Sequence, residues 1–232
     1  MDDLTLTPTA PGGSDTPCLN AASRRVLSDM EDYWQDLSRA KRIPFRSEVD
    51  PSRIDVALPH AFIVQRVGRG TGRIRVAGGR VESLLGMDPR GMPLTTFFTP
   101  PGRITIQHWF AEVFDRPAVV ELPLVSGRGI GRPKVTGGMI LLPLAAEDGS
   151  ISMAMGAMVT EGELGRTPRR FDVPDGLIRI APVEVTAAAG PRVTPEAQEI
   201  VKRMGPLAGF GATGDPASSA KRPYIRLVVD NT

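Results

Sequence analysis

Between residues 22 and 42 apolar side chains return at intervals of three and four: Val26, Leu27, Met30, Tyr33, Trp34 and Leu37, with Asp29, Glu31, Asp32 and Asp36 filling the other face. That period lines one side of an α-helix. It predicts a helix from Ser23 to Arg39, with Arg39, Lys41 and Arg42 gathered where they favour the C-terminal dipole and Pro44 blocking continuation. Six apolar residues in twelve positions need a covering surface. That surface belongs either to the chain's own domain or to a second subunit. Burial is worth roughly 1.5–3 kcal/mol for each large side chain, and Tyr33 and Trp34 bury large area with few rotors. Met30, Tyr33, Trp34 and Leu37 are therefore expected to carry association, as an isologous homodimer contact.

Asp50-Pro51 reads as an N-cap followed by the first helical position of a short helix that stops before Pro59. Strand patterns follow at Ala61 to Val67 and Arg73 to Ala77, joined by the turn Gly68-Arg69-Gly70-Thr71-Gly72. Residues 78 to 99 break into short helical pieces, and a longer helix fits 101 to 115 on the stripe Ile106, Trp109, Phe110, Val113 and Phe114. Three more strands are expected at Ala118 to Val125, Val135 to Leu144 and Ile151 to Val159. In the last, the bulky face (Ile151, Met153, Met155, Ala157, Val159) is expected in the main core, and the small face (Ser152, Ala154, Gly156, Met158) beneath the N-terminal helix. The order implies an α+β fold, a five-stranded antiparallel sheet with helices on one face plus the N-terminal amphipathic helix. Val64, Leu85, Phe97, Phe110, Leu122 and Met153 are expected to meet between sheet and helices. Such residues close-pack by default and would line a pocket for a small apolar ligand if one existed.

The flanks lack this patterning. Residues 1–21 are rich in Thr, Pro and Gly and are expected to form a disordered tail; residues 22–161 hold the domain. Residues 162–232 are expected to be a low-complexity tail, with a helix candidate at Thr194 to Met204 and a short strand or docking segment at Arg222 to Val229. An N-terminus without an apolar stretch reads as no signal peptide, and no run is long enough to span a membrane, so the expected location is the cytoplasm. The single cysteine, Cys18, excludes a disulfide core or thiolate cluster. A net charge of +2 is too small to argue for nucleic acid.

The chain resembles a group of small PAS-like alphaproteobacterial proteins of unknown function. The resemblance is carried by Tyr33-Trp34, Arg42-x-Pro44-x-Arg46, Asp50-Pro51, Ile54, Leu58-Pro59, Arg75-x-Ala77-Gly78, Gly86 and Gly91. Ser47-Glu48-Val49 and Gly79 depart from the group, which favours Ala-Asp-Ile and Thr at those places. It implies a PAS fold, a sensory or signalling role and protein partners, and supplies no catalytic residue.

The chemistry-bearing residues are sparse. His60 and His108 are the two histidines. At about 100° per residue His108 lies about 200° from Ile106, on the outer side of its helix, where it is not placed to ligate haem. Residues 78 to 115 hold no cysteine for flavin photochemistry. No metal cluster, cofactor site or catalytic triad is expected. The glycine-arginine turns around Arg69, Arg73, Arg128 and Arg132 lead from strand to strand, not into a helix, so hairpins are favoured over phosphate cradles. Those four arginines form the basis of a competing reading, a nucleic-acid-binding regulator. The favoured reading is a non-catalytic sensory or adaptor protein that acts through protein partners.

Overall fold

A computed structural model describes residues 19–39, 42–174 and 176–184. The expectations for the first 18 residues, for Thr194 to Met204 and for Arg222 to Val229 fall outside the described residues. Helix α1 spans Ala21–Leu37, opened by Asn20, whose side chain accepts from the Ser23 backbone N–H at 2.8 Å. Three single 3-10 turns, Arg46–Glu48, Pro51–Ile54 and Leu58–His60, lead into strands β1 (Ala61–Gly68) and β2 (Thr71–Ala77). Helix α2 (Gly79–Leu85), a 3-10 turn at Leu94–Phe97 and helix α3 (Pro100–Asp115) precede β3 (Ala118–Ser126), β4 (Val135–Ala145), β5 (Ile151–Glu161) and β6 (Arg179–Pro182).

All strand pairs are antiparallel, and the sheet order is β2-β1-β5-β4-β3-β6. The sheet has six strands where the sequence predicts five. The sixth is four residues long and mostly exposed, so it carries no buried alternation to read. Backbone pairing with β3 holds it, together with Arg179, which bonds Glu121 at 3.0 Å and also Glu31 of α1.

Both faces of the sheet are covered. One face packs against α2, α3 and the 94–97 turn around Phe62, Phe97, Phe98, Phe110, Leu122 and Phe171. The other packs against α1 and the 51–54 turn around Met30, Tyr33, Trp34, Ile140, Leu142 and Met155. Strand β4 runs between the two cores and is buried on both sides, as its nearly unbroken apolar run requires. Strand β5 corrects the expectation for its faces. Met153, Met155, Ala157 and Val159 face α1, and Ala154 and Met158 face the helical cluster. The cause is Phe62, paired across the ladder with Gly156: its ring lies where a Cβ on Gly156 would be 2.6 Å away, so the small face receives that ring.

The folded unit also passes the expected boundary at residue 161. Phe171 is fully buried, its N–H bonds the Phe97 carbonyl at 2.9 Å, and its carbonyl accepts from Thr99. Asp172 exchanges two backbone hydrogen bonds with Val125 at the end of β3. The sequence pattern does not reveal this segment, because its one aromatic stands among Arg, Pro and Asp, without a period.

Candidate functional site

The α1 stripe is used within the chain. Met30 is 0% exposed, Trp34 3% and Tyr33 6%. The Trp34 indole N–H donates to the Pro143 carbonyl at 2.8 Å, and the Tyr33 hydroxyl accepts from the Asp50 N–H at 2.7 Å. Leu37 is partly buried on the same cluster. These four residues hold α1 on its own sheet, which corrects their expected place on a surface open to a partner. The polar Arg42-x-Pro44-x-Arg46 stretch has a structural part too. Arg42 grips Glu48 with two bonds of 2.7 and 2.5 Å, and the Phe45 N–H bonds the same carboxylate. The Arg42 hydrogen bonds hold the Glu48 carboxyl below its ordinary pKa.

Of the six residues expected to line a pocket, Val64, Leu85, Phe97, Phe110 and Leu122 meet in the core under α2 and α3. Met153 does not; it packs on the α1 side of the sheet. An apolar cleft of about 160 Å³ opens instead beside β1 and β2, lined by Val49, Ile54, Leu58, Ile63, Val76 and Met155 among others. Leu58 and Val76 are 42% and 47% exposed at its rim.

The two arginine-bearing turns lie at opposite ends of the sheet. Strand β1 starts beside the end of β5, where β4 also starts, so the 68–71 turn and the 127–134 turn sit a strand length apart. Arg69 reaches Asp115 at 3.7 Å and Arg73 bonds the Gly91 carbonyl at 2.9 Å. Arg69 and Arg73 therefore share no patch with Arg128 and Arg132, which removes the geometric basis of a continuous phosphate-tracking surface.

His108 is exposed on the outer face of α3, edge-on to Trp109. His60 is half-buried and donates from Nδ1 to the Met158 carbonyl at 3.2 Å. Burial pushes its pKa below the ordinary 6.5, and the charge of Arg80 acts the same way. The unfolded chain then binds more protons at this residue, so His60 stabilises the fold above its unfolded pKa and loses that contribution as pH falls below 6.5 toward the folded value. His60→Gln is expected to flatten the fall of the urea midpoint between about pH 7 and pH 5. An unchanged slope would remove His60 from that pH dependence.

The residue that sequence reasoning missed is Arg169. It is 0% exposed, and its Nη2 donates to the Pro133 carbonyl at 2.6 Å. Its Nε and Nη1 meet no acceptor among the described residues. Nothing in the string Thr167-Pro168-Arg169-Arg170 marks one arginine as buried and the next as exposed.

Among the described residues no group of three or more His, Cys, Asp or Glu side chains is placed to hold a metal ion, and no helix is long and apolar enough to cross a membrane. No curated protein matches the chain. A family model described as "PAS domain" matches residues 22–159, from the start of α1 almost to the end of β5. With an antiparallel sheet flanked by the α2–α3 cluster, and more than half its length matched, the chain belongs to the PAS domain family.

Proposed function

We propose that this chain is a non-catalytic PAS-type sensory and adaptor protein of bacterial signalling that works in the cytoplasm through protein association, with a second copy of itself as first partner. Membership of the family supports the general sensory and signalling role. The observation that carries the association reading is the apolar cleft beside β2, one edge of the sheet. Leu58 and Val76 remain exposed at its rim, and Val56, two residues before Leu58, is 69% exposed. Solvent-facing apolar side chains grouped at a sheet edge are a frequent mark of an interface. The outer face of α1 offers no equivalent: Arg24, Arg25, Ser28, Asp29 and Asp32 occupy it.

A twofold contact at this edge brings each cleft against its symmetry mate, so one changed residue acts twice. Sedimentation of the intact protein at tens of micromolar is expected to show a dimer, and Val76→Asp to weaken it at least tenfold, because two like charges enter one apolar contact. Val76 is half-exposed, so the same change leaves the thermal midpoint of the monomer nearly unmoved. A monomer at that concentration would end the self-association reading. A dimer indifferent to Val76→Asp would move the interface elsewhere.

A further inference from the structure

Ser126 and Arg169 are the buried polar side chains among the described residues, and Arg169 alone carries charge. The path of the chain explains how it is enclosed. Its backbone N–H bonds the Leu84 carbonyl at 2.7 Å at the end of α2, where Gly86 (φ 73°) closes the helix against Thr167. Three residues earlier, the Arg166 N–H bonds the Gly131 carbonyl at 2.8 Å. The segment thus laces α2 to the β3–β4 turn, and the Arg169 guanidinium lies between them, held by one bond to Pro133. Pro133, the acceptor of that bond, also lines an open cleft of about 430 Å³ at the turn, together with Arg128, Gly129, Gly131, Arg132, Glu163 and Gly165.

Native interiors pair a buried charge and satisfy its donors. Among the described residues Arg169 does neither: Nε and Nη1 lack acceptors, and the charge of Arg132 acts on it as a like charge. An anion between the two guanidinium groups would supply the acceptor that Nε and Nη1 of Arg169 lack and offset the like charge of Arg132. Planar guanidinium donors suit the oxygens of carboxylate and phosphate.

We infer that Arg169 and Arg132 form an oxyanion site beneath the β3–β4 turn that takes the carboxylate or phosphate group of a small ligand. The turn is the entrance. It is held by the reciprocal backbone pair Gly129–Arg132 and the Arg166–Gly131 bond, so these few contacts are what a ligand must loosen to reach Nε and Nη1. The site lies on β3–β4, away from the apolar cleft on β1–β2, and does not depend on the association reading; either can fail alone.

Isothermal titration of the full chain with inorganic phosphate, and separately with succinate, against sodium chloride at matched ionic strength tests this. Saturable heat is expected with at least one oxyanion and none with chloride. Phosphate alone would assign a phosphate-bearing ligand, and succinate alone a carboxylate. Arg169→Met, similar in length and uncharged, is expected to abolish binding, and Arg132→Ala to weaken it about tenfold. Glu163→Gln is expected to leave affinity unchanged or raise it, since a like charge leaves the cleft. Heats indistinguishable from chloride for both anions, or full binding by Arg169→Met, would overturn the site. If Arg169→Met does not fold, Arg132→Ala decides, because Arg132 is exposed and its loss spares the core. Unchanged affinity in Arg132→Ala would then refute the assignment, and so would loss of binding in Glu163→Gln.

Discussion

Trp34→Ala is expected to lower folding stability by about 3–5 kcal/mol, read as a reduced midpoint in urea unfolding followed by circular dichroism. The indole fills the core between α1 and the sheet and is 3% exposed. Its removal leaves a cavity in a layer that cannot fully collapse, because β4 beneath it is fixed by pairing on both sides. It also strips the Pro143 carbonyl of its 2.8 Å buried donor. Trp34→Phe separates the two effects. It keeps most of the apolar area and loses the hydrogen bond, for about 1–3 kcal/mol. Arg25→Ala, on the polar face with an exposed ion pair to Asp29 at 3.6 Å, should stay within about 0.5 kcal/mol. Domain stabilities are about 5–15 kcal/mol, so the first substitution leaves a chain near the edge of folding. A loss below about 1 kcal/mol for Trp34→Ala would mean that α1 is not seated on this sheet in solution.

The same residues show what could be read from the sequence. The three- and four-residue spacing from Val26 to Leu37 specifies a helix and its buried side. It says nothing of which surface lies opposite, and a stripe that fits a second subunit fits an uncovered sheet face equally well. The unbroken apolar run of β4 holds the missing information: a strand buried on both sides needs a layer on each face, and α1 is the element left to supply the second. Strand β5 makes the same point at finer grain. Alternation sorts Met153, Met155 and Ala157 from Ala154, Gly156 and Met158, yet the choice between cores is made by Phe62 on the neighbouring strand. Hairpin turns, the α2–α3 cluster and five of the six core residues proposed for the pocket were legible because each rests on local spacing or turn chemistry. Arg169 was not. Its burial follows from a backbone bond to Leu84, 85 positions away, and a side-chain bond to Pro133, 36 positions away, and side-chain type predicts the opposite.

The second large effect concerns the segment after β5. Phe171 is 0% exposed in the core shared by Phe97, Phe98 and Phe110, so Phe171→Ala is expected to cost about 3–5 kcal/mol. Ending the chain at Glu161 should do more. It removes Phe171 and Val173 from the core, unpairs the outer edge of β3 by deleting β6, and takes away the N–H that the Phe97 carbonyl accepts. The start of α3 loses support as well, because Thr99 bonds the Phe171 carbonyl and its side chain contacts Asp172. Together these exceed the stability of an ordinary domain, so the shortened chain is expected to expose apolar surface, bind a hydrophobic dye and lose its cooperative thermal transition. Limited proteolysis of the intact protein gives an independent reading: the protected fragment should reach beyond residue 173, since backbone tied by hydrogen bonds on both sides resists cleavage. A stable, cooperative chain ending at Glu161, or rapid cutting between residues 162 and 171 with the remainder intact, would place the segment outside the fold and make Phe171 a surface attachment, not a core residue.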